Sequence, residues 1–110
     1  MPVMVRQKLQ AVTRDVGNQA RVARLLGVSR SQVSRWMRTG HPDPSNKRKL
    51  EGMEFLLGRL LDLYDRSTAL KWLQGFNAHL GNRRPIDLLA AGRVAEVLRA
   101  VEAEETGSYA

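Results

Sequence analysis

The 110 residues, 43% of them hydrophobic, suffice for one small domain with its own core, or for two very small subdomains. The sequence contains no cysteine, which excludes disulfides and thiolate metal sites, and two histidines alone are a weak basis for a metal centre. No apolar run approaches the roughly 20 residues needed to cross a bilayer. We therefore expect a cytoplasmic protein that uses no cofactor and does not enter a membrane.

The net charge of +7 is unevenly distributed along the chain. Residues 1–49 contain eleven lysines and arginines against two aspartates, whereas residues 50–110 contain seven basic and nine acidic side chains. This asymmetry indicates a polyanionic partner for the first half, with a solvated basic face as the plainer alternative.

Helical periodicity starts near the N-terminus. A first helix is predicted at about residues 3–15, because apolar side chains recur there at intervals of four, three and four residues. Gly17 is suited to end it, and Asn18 can cap a second helix that runs to about Leu26. Ser29 can cap a third helix from about Arg30 to Thr39. The apolar stripe of the first helix consists of Val5, Leu9, Val12 and Val16.

Residues 19–36 show the pattern of two short helices that cross at a tight turn. Ala23 is small enough for a crossing helix, Gly27 turns without a Cβ clash, and Val33 fills the angle between the helices. The stretch resembles the helix-turn-helix of the Xre/Cro type repressors. The residues that carry the resemblance are Gln19, Val22, Ala23, Leu26, Gly27, Val28, Ser29, Val33, Ser34 and Trp36.

The polar face of the third helix carries the candidates for DNA contact. Arginine can bond O6 and N7 of guanine together, so Arg30, Ser31 and Arg35 are the base-reading candidates. Residues at the start of the preceding helix are placed for phosphate. The run at residues 47–49 could add phosphate contacts, although ordinary solvated charge is its simpler interpretation. The full predicted DNA-binding set is Gln19, Arg21, Ser29, Arg30, Ser31, Ser34, Arg35 and Arg38.

The proline-rich segment at residues 40–46 separates two units, predicted as a helix-turn-helix unit at 1–44 and a helical unit at 45–110. In the second unit, helices are predicted at about 46–65, 67–74 and 93–105, together with a short helix that begins at Pro85 and is ended by Gly92. The fold class is therefore all-α, with about seven helices.

The second unit resembles the C-terminal toxin-binding domain of the Xre/MbcA/ParS antitoxins. The resemblance implies a partner of the RES-domain class, toxins that consume NAD⁺, with the antitoxin tail at or near the NAD⁺ cleft. The implied toxin-binding residues are Leu80, Gly81, Arg84, Pro85, Asp87, Gly107, Ser108, Tyr109 and Ala110. The resemblance itself is carried by Trp72-Leu73, Asn77, Leu80-Gly81, Arg84 to Leu89, Gly92, Val97-Leu98 and the ending Gly107 to Ala110.

Together these features predict an antitoxin that neutralises a RES-domain toxin and represses its own operon by binding operator DNA as a homo-oligomer or with the toxin. An enzyme is disfavoured, because the sequence shows no nucleophile with an accompanying base and no glycine-rich phosphate loop. One alternative is a phage-type repressor whose second half serves only self-association. Another is a general nucleic-acid or chromosome-associated protein without an operator.

Overall fold

The computed structural model describes residues 5–107. Over that range it is all-α, as predicted, with seven α-helices and one short 3-10 helix at Ala78–Leu80. The α-helices are α1 (Val5–Val16), α2 (Gln19–Leu26), α3 (Arg30–Thr39), α4 (Pro44–Leu63), α5 (Arg66–Gln74), α6 (Pro85–Ala90) and α7 (Val94–Thr106).

Local side-chain caps set the starts of α2 and α3, as the sequence predicts. The Asn18 side chain accepts a hydrogen bond from the backbone N–H of Arg21 at 2.9 Å. Ser29 and Gln32 form a reciprocal capping box, in which each side chain accepts from the other residue's backbone N–H. These caps fix where α2 and α3 begin.

The long helix α4 begins and ends two residues earlier than the predicted range of 46–65. Asp43 accepts from the backbone N–H of Asn46 at 3.3 Å, and Pro44 fills the first turn. A proline is tolerated there because the missing N–H would have no partner within the helix. At the next junction Asp65 accepts from the N–H of Thr68 at 2.8 Å, so α5 begins at Arg66 instead of residue 67.

The buried side chains of both halves belong to one hydrophobic cluster. Helix α1 packs on α4, α2 packs on α6, and α4 packs on α7. Leu9 and Val22 from the first half and Leu56 and Val97 from the second are all fully buried. Packing thus continues across the predicted boundary at residues 44 and 45, which as a division of function stays a prediction.

The turn between α2 and α3 lies directly against α6. Gly27 has a φ of +69°, and a Cβ at this position would lie 2.8 Å from the carbonyl oxygen of Ala90. Glycine is therefore required both by the left-handed backbone and by the close approach of α6. Lys49 closes the same junction, with its ammonium donating to Leu26 O at 3.2 Å and Ala90 O at 3.0 Å.

Candidate functional site

Six of the predicted DNA-binding residues surround one shallow depression on the outer side of α2 and α3. All five contributed by α3 are exposed, and they lie opposite the buried side chains of Val33 and Trp36. The exposed face of α3 is thus polar and basic along its length. The lining residues are Gln19, Arg30, Ser31, Ser34, Arg35 and Arg38.

The arginine side chains of this depression have no bonding partner in the described part of the chain. Within residues 5–107, the guanidinium groups of Arg30, Arg35 and Arg38 form no hydrogen bond or ion pair, and no carboxylate lines the depression. A phosphate or a guanine edge could therefore bind these groups without first breaking an internal ion pair. The depression has the charge and the donors that nucleic-acid recognition uses.

Two predicted DNA-binding residues lie outside the depression. The Ser29 side chain is exposed, but it is occupied in the capping box with Gln32. The guanidinium of Arg21 donates to Val16 O at 3.0 Å and lines a separate cavity, together with Leu70 of α5. The structure therefore places Arg21 with the α2–α5 junction, apart from the arginines of α3.

The basic run that follows the proline-rich segment is divided by burial. Lys47 and Arg48 are exposed and remain candidates for phosphate contact. Lys49 is half-buried, with its ammonium on the carbonyl oxygens at the ends of α2 and α6. A cation at this position is also stabilised by the negative ends of the two helix dipoles. The structural role of Lys49 depends on α6, some forty residues away, and no local pattern indicated it.

A tether between α1 and α3 also escaped the sequence analysis. The Arg6 side chain donates to the carbonyl oxygen of Arg38 at 3.0 Å, at the last turn of α3. This hydrogen bond holds the end of α3 against α1. Its partners are 32 residues apart in the sequence, so no spacing rule could have found it.

The predicted toxin-binding residues near α6 divide into shape-forming and exposed ones. Leu80 and Pro85 are buried, and Gly81 ends the 3-10 helix with a left-handed backbone. Arg84 and Asp87 form a two-point ion pair at the start of α6, with Nε to Oδ2 at 3.0 Å and Nη2 to Oδ1 at 3.2 Å. Of these five residues, Gly81 and Asp87 are exposed and Arg84 is half-buried.

The predicted C-terminal plug begins at the end of α7. Gly107 is exposed, and its backbone N–H caps the helix on the carbonyl oxygens of Ala103 and Glu104. Ser108, Tyr109 and Ala110, the other members of the predicted plug, lie outside the described residues. Their role stays a prediction.

Ion pairs hold α7 against α4 and against the turn between the 3-10 helix and α6. Arg59 of α4 donates to Glu105 of α7, and this hydrogen bond raises the pKa of Arg59 above its ordinary value. Arg83 bonds Glu96 at 3.2 Å. The Arg59 guanidinium also lies 5.5 Å from the centre of the Phe55 ring, within cation–π range.

Phe76 is a surface feature that the sequence analysis missed. Its side chain is 79% exposed, in the loop between α5 and the 3-10 helix, whereas Phe55 is 56% exposed. A large apolar side chain between the helix end at Gly75 and the cap at Asn77 is a signal that could have identified it. Such a residue is neither part of an apolar stripe nor a turn former.

Residues 5–107 contain neither a candidate membrane-spanning helix nor a candidate metal-binding cluster. No helix there combines the length and the apolar character that a membrane crossing requires. No three histidine, aspartate or glutamate side chains come together in that range to hold a metal ion.

Comparison with known proteins identifies the family of the chain. No family model matches the sequence. A protein of Mycobacterium tuberculosis strain H37Rv, named probable mycobacterial cidal antitoxin Rv3188, is 34% identical over 91 residues, which cover 83% of this chain and 78% of the relative. This identity and coverage confirm the antitoxin resemblance.

A solved structure shares the fold over nearly the whole length. A chain in the crystal structure of the M. tuberculosis MbcT-MbcA toxin-antitoxin complex matches with a TM-score of 0.80, covering 99% of this chain and 100% of that one. At 23% sequence identity this likeness establishes the common all-α fold. Taken with the sequence match, it follows that the chain belongs to the mycobacterial cidal antitoxin family.

Proposed function

We propose that this antitoxin neutralises a RES-domain, NAD⁺-consuming toxin by covering its active-site cleft, and that it represses its own operon by binding operator DNA through α3. Its family membership supports the antitoxin activity. The observation that carries the DNA-binding activity is the depression on α3, where three arginines have no internal partner within the described chain.

The shape of the first half suits a recognition helix. Helix α3 has 10 residues, and an α-helix is about 10–12 Å across with its side chains, so it fits the B-DNA major groove, which is about 12 Å wide. Its buried side is anchored by Val33 and Trp36, so its other side is presented to solvent. Arg30, Ser31 and Arg35 would read base edges, whereas Gln19 and Arg38 flank them for phosphate.

The second half supplies a firm base for a terminal plug. Helix α7 is braced on one flank by Arg59 and on the other by Arg83, and it ends at Gly107, from which the tail leaves. The resemblance to toxin-binding domains suggests that Gly107 to Ala110 enter the toxin cleft and that residues around Gly81 and Asp87 contact its rim. An aromatic such as Tyr109 is suited to anchor the tail once it is buried.

Co-expression with the product of the adjacent gene tests neutralisation. We expect the full chain to bind this product and to protect cells from it, and a chain that ends at Thr106 to lose protection. Toxicity is scored by growth and by cellular NAD⁺. If the full chain neither binds nor protects, the toxin assignment fails. If the shortened chain protects fully, the plug is wrong although the partner is right.

Binding to the promoter of the module tests repression. We expect a footprint with high sequence preference, as inverted repeats with half-sites about 10 bp or a multiple apart if two copies bind, and an affinity that falls steeply with salt. Arg35→Ala should weaken operator binding by about 1–3 kcal/mol and relax preference at one base pair, whereas Lys47→Ala should weaken all DNA about equally. Equal losses on operator and random DNA for Arg35→Ala would assign this residue to phosphate.

A further inference from the structure

We infer that Phe76 is an anchor of the toxin interface, inserted into an apolar pocket of the toxin beside the entry of the C-terminal tail. The inference rests on the proposed neutralisation of a toxin and names a contact that its plug does not include. Phe76 is the most exposed of the large hydrophobic side chains in residues 5–107, at 79%. Leaving a phenyl ring in water forfeits the stabilisation that its burial would give.

The backbone around Phe76 is held on both sides. Before it, the N–H of Gly75 donates to Lys71 O at 3.0 Å, at the end of α5. After it, Asn77 is buried, its N–H donates to Arg83 O at 3.1 Å, and its side chain accepts from the N–H of His79 at 2.9 Å. An exposed ring on an ordered loop loses little conformational entropy on binding, which favours its use as an anchor.

The surface next to Phe76 is suited to an apolar partner. A groove of about 320 Å³ lies between Phe76, Trp72 and Glu104. The Glu104 carboxylate accepts from Trp72 Nε1 at 3.3 Å and from the Tyr64 hydroxyl at 2.8 Å. Because this charge is already hydrogen-bonded, an apolar group that covers the groove would not leave the carboxylate without a partner.

The position of the groove favours the toxin as its occupant. Glu104 lines the groove with Phe76 and precedes Gly107 by three residues, about 4.5 Å along the helix axis, so α7 ends near this groove. Residues 108–110 span about 10 Å when fully extended. A partner that receives these residues therefore lies within reach of the groove. DNA is a poor candidate, since α3 packs on α1 and α2 whereas Phe76 adjoins α5 and α7.

Two matched substitutions in the full-length chain test the inference. Phe76→Ala and Phe55→Ala each remove an exposed phenyl ring, and only Phe76 lines the groove with Trp72 and Glu104. With the purified toxin encoded by the adjacent gene, we expect Phe76→Ala to raise the dissociation constant about 30-fold or more, the scale of an interface hot spot. Phe55→Ala should change it by less than about threefold. Phe76→Leu keeps an apolar side chain and should lose less than the alanine variant.

The outcomes separate this inference from the proposed function. If the unmodified chain does not bind the toxin, the proposed function fails by itself. If the unmodified chain binds and Phe76→Ala binds equally well, the anchor is wrong and the toxin assignment stands. An equal loss in Phe55→Ala also overturns the anchor, as does a change in self-association mass without a change in toxin affinity. Operator affinity should be unaltered in all three variants. Thermal melting should be unaltered in the two Phe76 variants, whereas Phe55→Ala removes the ring beside the Arg59 guanidinium and should melt at a slightly lower temperature.

Discussion

The two ends of the molecule use arginine in opposite ways. On α3, the guanidinium groups of Arg30, Arg35 and Arg38 have no carboxylate partner within the described residues. Around α6 and α7, three arginines are paired with carboxylates of the same chain, Arg84 with Asp87 and both Arg83 and Arg93 with Glu96, whereas Arg99 has no such partner within residues 5–107. The positive charge of the first surface is not neutralised by carboxylates that line it. The second surface has much of its charge neutralised by ion pairs, and it exposes an aromatic ring.

This difference teaches how a chain of 110 residues can offer two unlike surfaces. Cationic groups that are to meet phosphate gain most when no internal acid competes for them. A surface that is to be buried against protein gains from paired charges and exposed aromatic area. Both surfaces stand on a single core, so they differ in side-chain chemistry and share their stability.

The shared core gives the largest expected effect. Leu56 of α4 is fully buried, and Leu56→Ala should cost about 2–5 kcal/mol of stability through lost packing and a residual cavity. Operator binding and toxin binding should then be lost at the same, lower temperature. Calorimetry measures the unfolding temperature, and both binding assays are repeated as the temperature is raised. Leu63→Ala is the control, because this side chain is 38% exposed on the same helix and should matter little. Survival of one activity well above the other would show two independent units.

Removal of the unpaired arginines of α3 should have the next largest effect, on operator affinity. Arg30→Ala combined with Arg35→Ala should weaken operator binding by about 2–4 kcal/mol, since each good base contact contributes about 1–3 kcal/mol and neighbouring contacts need not add. Arg93→Ala removes a guanidinium already paired with Glu96 and should leave operator affinity unchanged. Electrophoretic mobility shifts measure both. A loss in Arg93→Ala of about half that in the double variant would mean that bulk charge, and not the α3 surface, determines binding, since the control removes one charge instead of two.

The Lys49 contact gives an intermediate effect. Lys49→Met keeps the aliphatic stem and removes the ammonium from Leu26 O and Ala90 O. Loss of these hydrogen bonds should cost about 1 kcal/mol, reduced by partial exposure to water, and it should appear in thermal unfolding. Lys47→Met changes an exposed residue of the same helix and should be near neutral. If Lys47→Met is instead the more destabilising of the two, Lys49 does not join the halves.

Two glycines of α4 make a paired test of helix packing. A Cβ at Gly52 would lie 2.8 Å from Val94 Cγ1, whereas a Cβ at Gly58 would meet nothing within 4 Å. Gly52→Ala should therefore destabilise by roughly 1 kcal/mol, since overpacking outweighs the better helix propensity of alanine. Gly58→Ala should stabilise by about 0.5–1 kcal/mol. Denaturant titration gives both signs, and stabilisation by Gly52→Ala would contradict the close contact between α4 and α7.

The helix caps give the smallest effect and a pH dependence. The side-chain hydrogen bond from Asn46 lowers the pKa of Asp43 below 3.8, and the backbone N–H of Thr68 does the same to the pKa of Asp65. Each carboxylate therefore stabilises the fold above its ordinary pKa, and this contribution is lost as the pH falls through the lower folded value. Asp65→Asn keeps a cap that does not titrate, so its melting temperature should fall less steeply between about pH 5 and pH 2. Parallel curves would contradict this role.

The sequence predicts the local features of the fold well and its distant contacts poorly. The bounds of α2 and α3, the left-handed turn at Gly27 and the cap at Ser29 follow from neighbouring residues, and the structure confirms them. The start of α4 was missed because Pro44 was interpreted as a helix breaker, although it is placed at a first turn, where proline is tolerated. The antitoxin identity came from a family resemblance, not from periodicity or charge.

The candidate site shows the same limit. The outward face of α3 follows from its helical period, so the grouping of Arg30, Arg35 and Arg38 was predictable. The separation of Arg21 and the burial of Lys49 depend on α5 and α6, which are distant in sequence and close in space. Phe76 was missed because exposure of a loop side chain is decided by what packs around it, which a single sequence does not specify.

The contact between Gly27 and Ala90 also determines when during synthesis the first half of the chain can complete its packing. The turn of the helix-turn-helix finds its packing partner only after the chain has been synthesised through α6, about sixty residues later. A nascent or truncated chain that stops earlier leaves α2 without this surface and Lys49 without one of its two acceptors. The proposed DNA-binding surface and the proposed toxin-binding surface are therefore completed almost together during synthesis, and a chain released before α6 has neither surface fully supported.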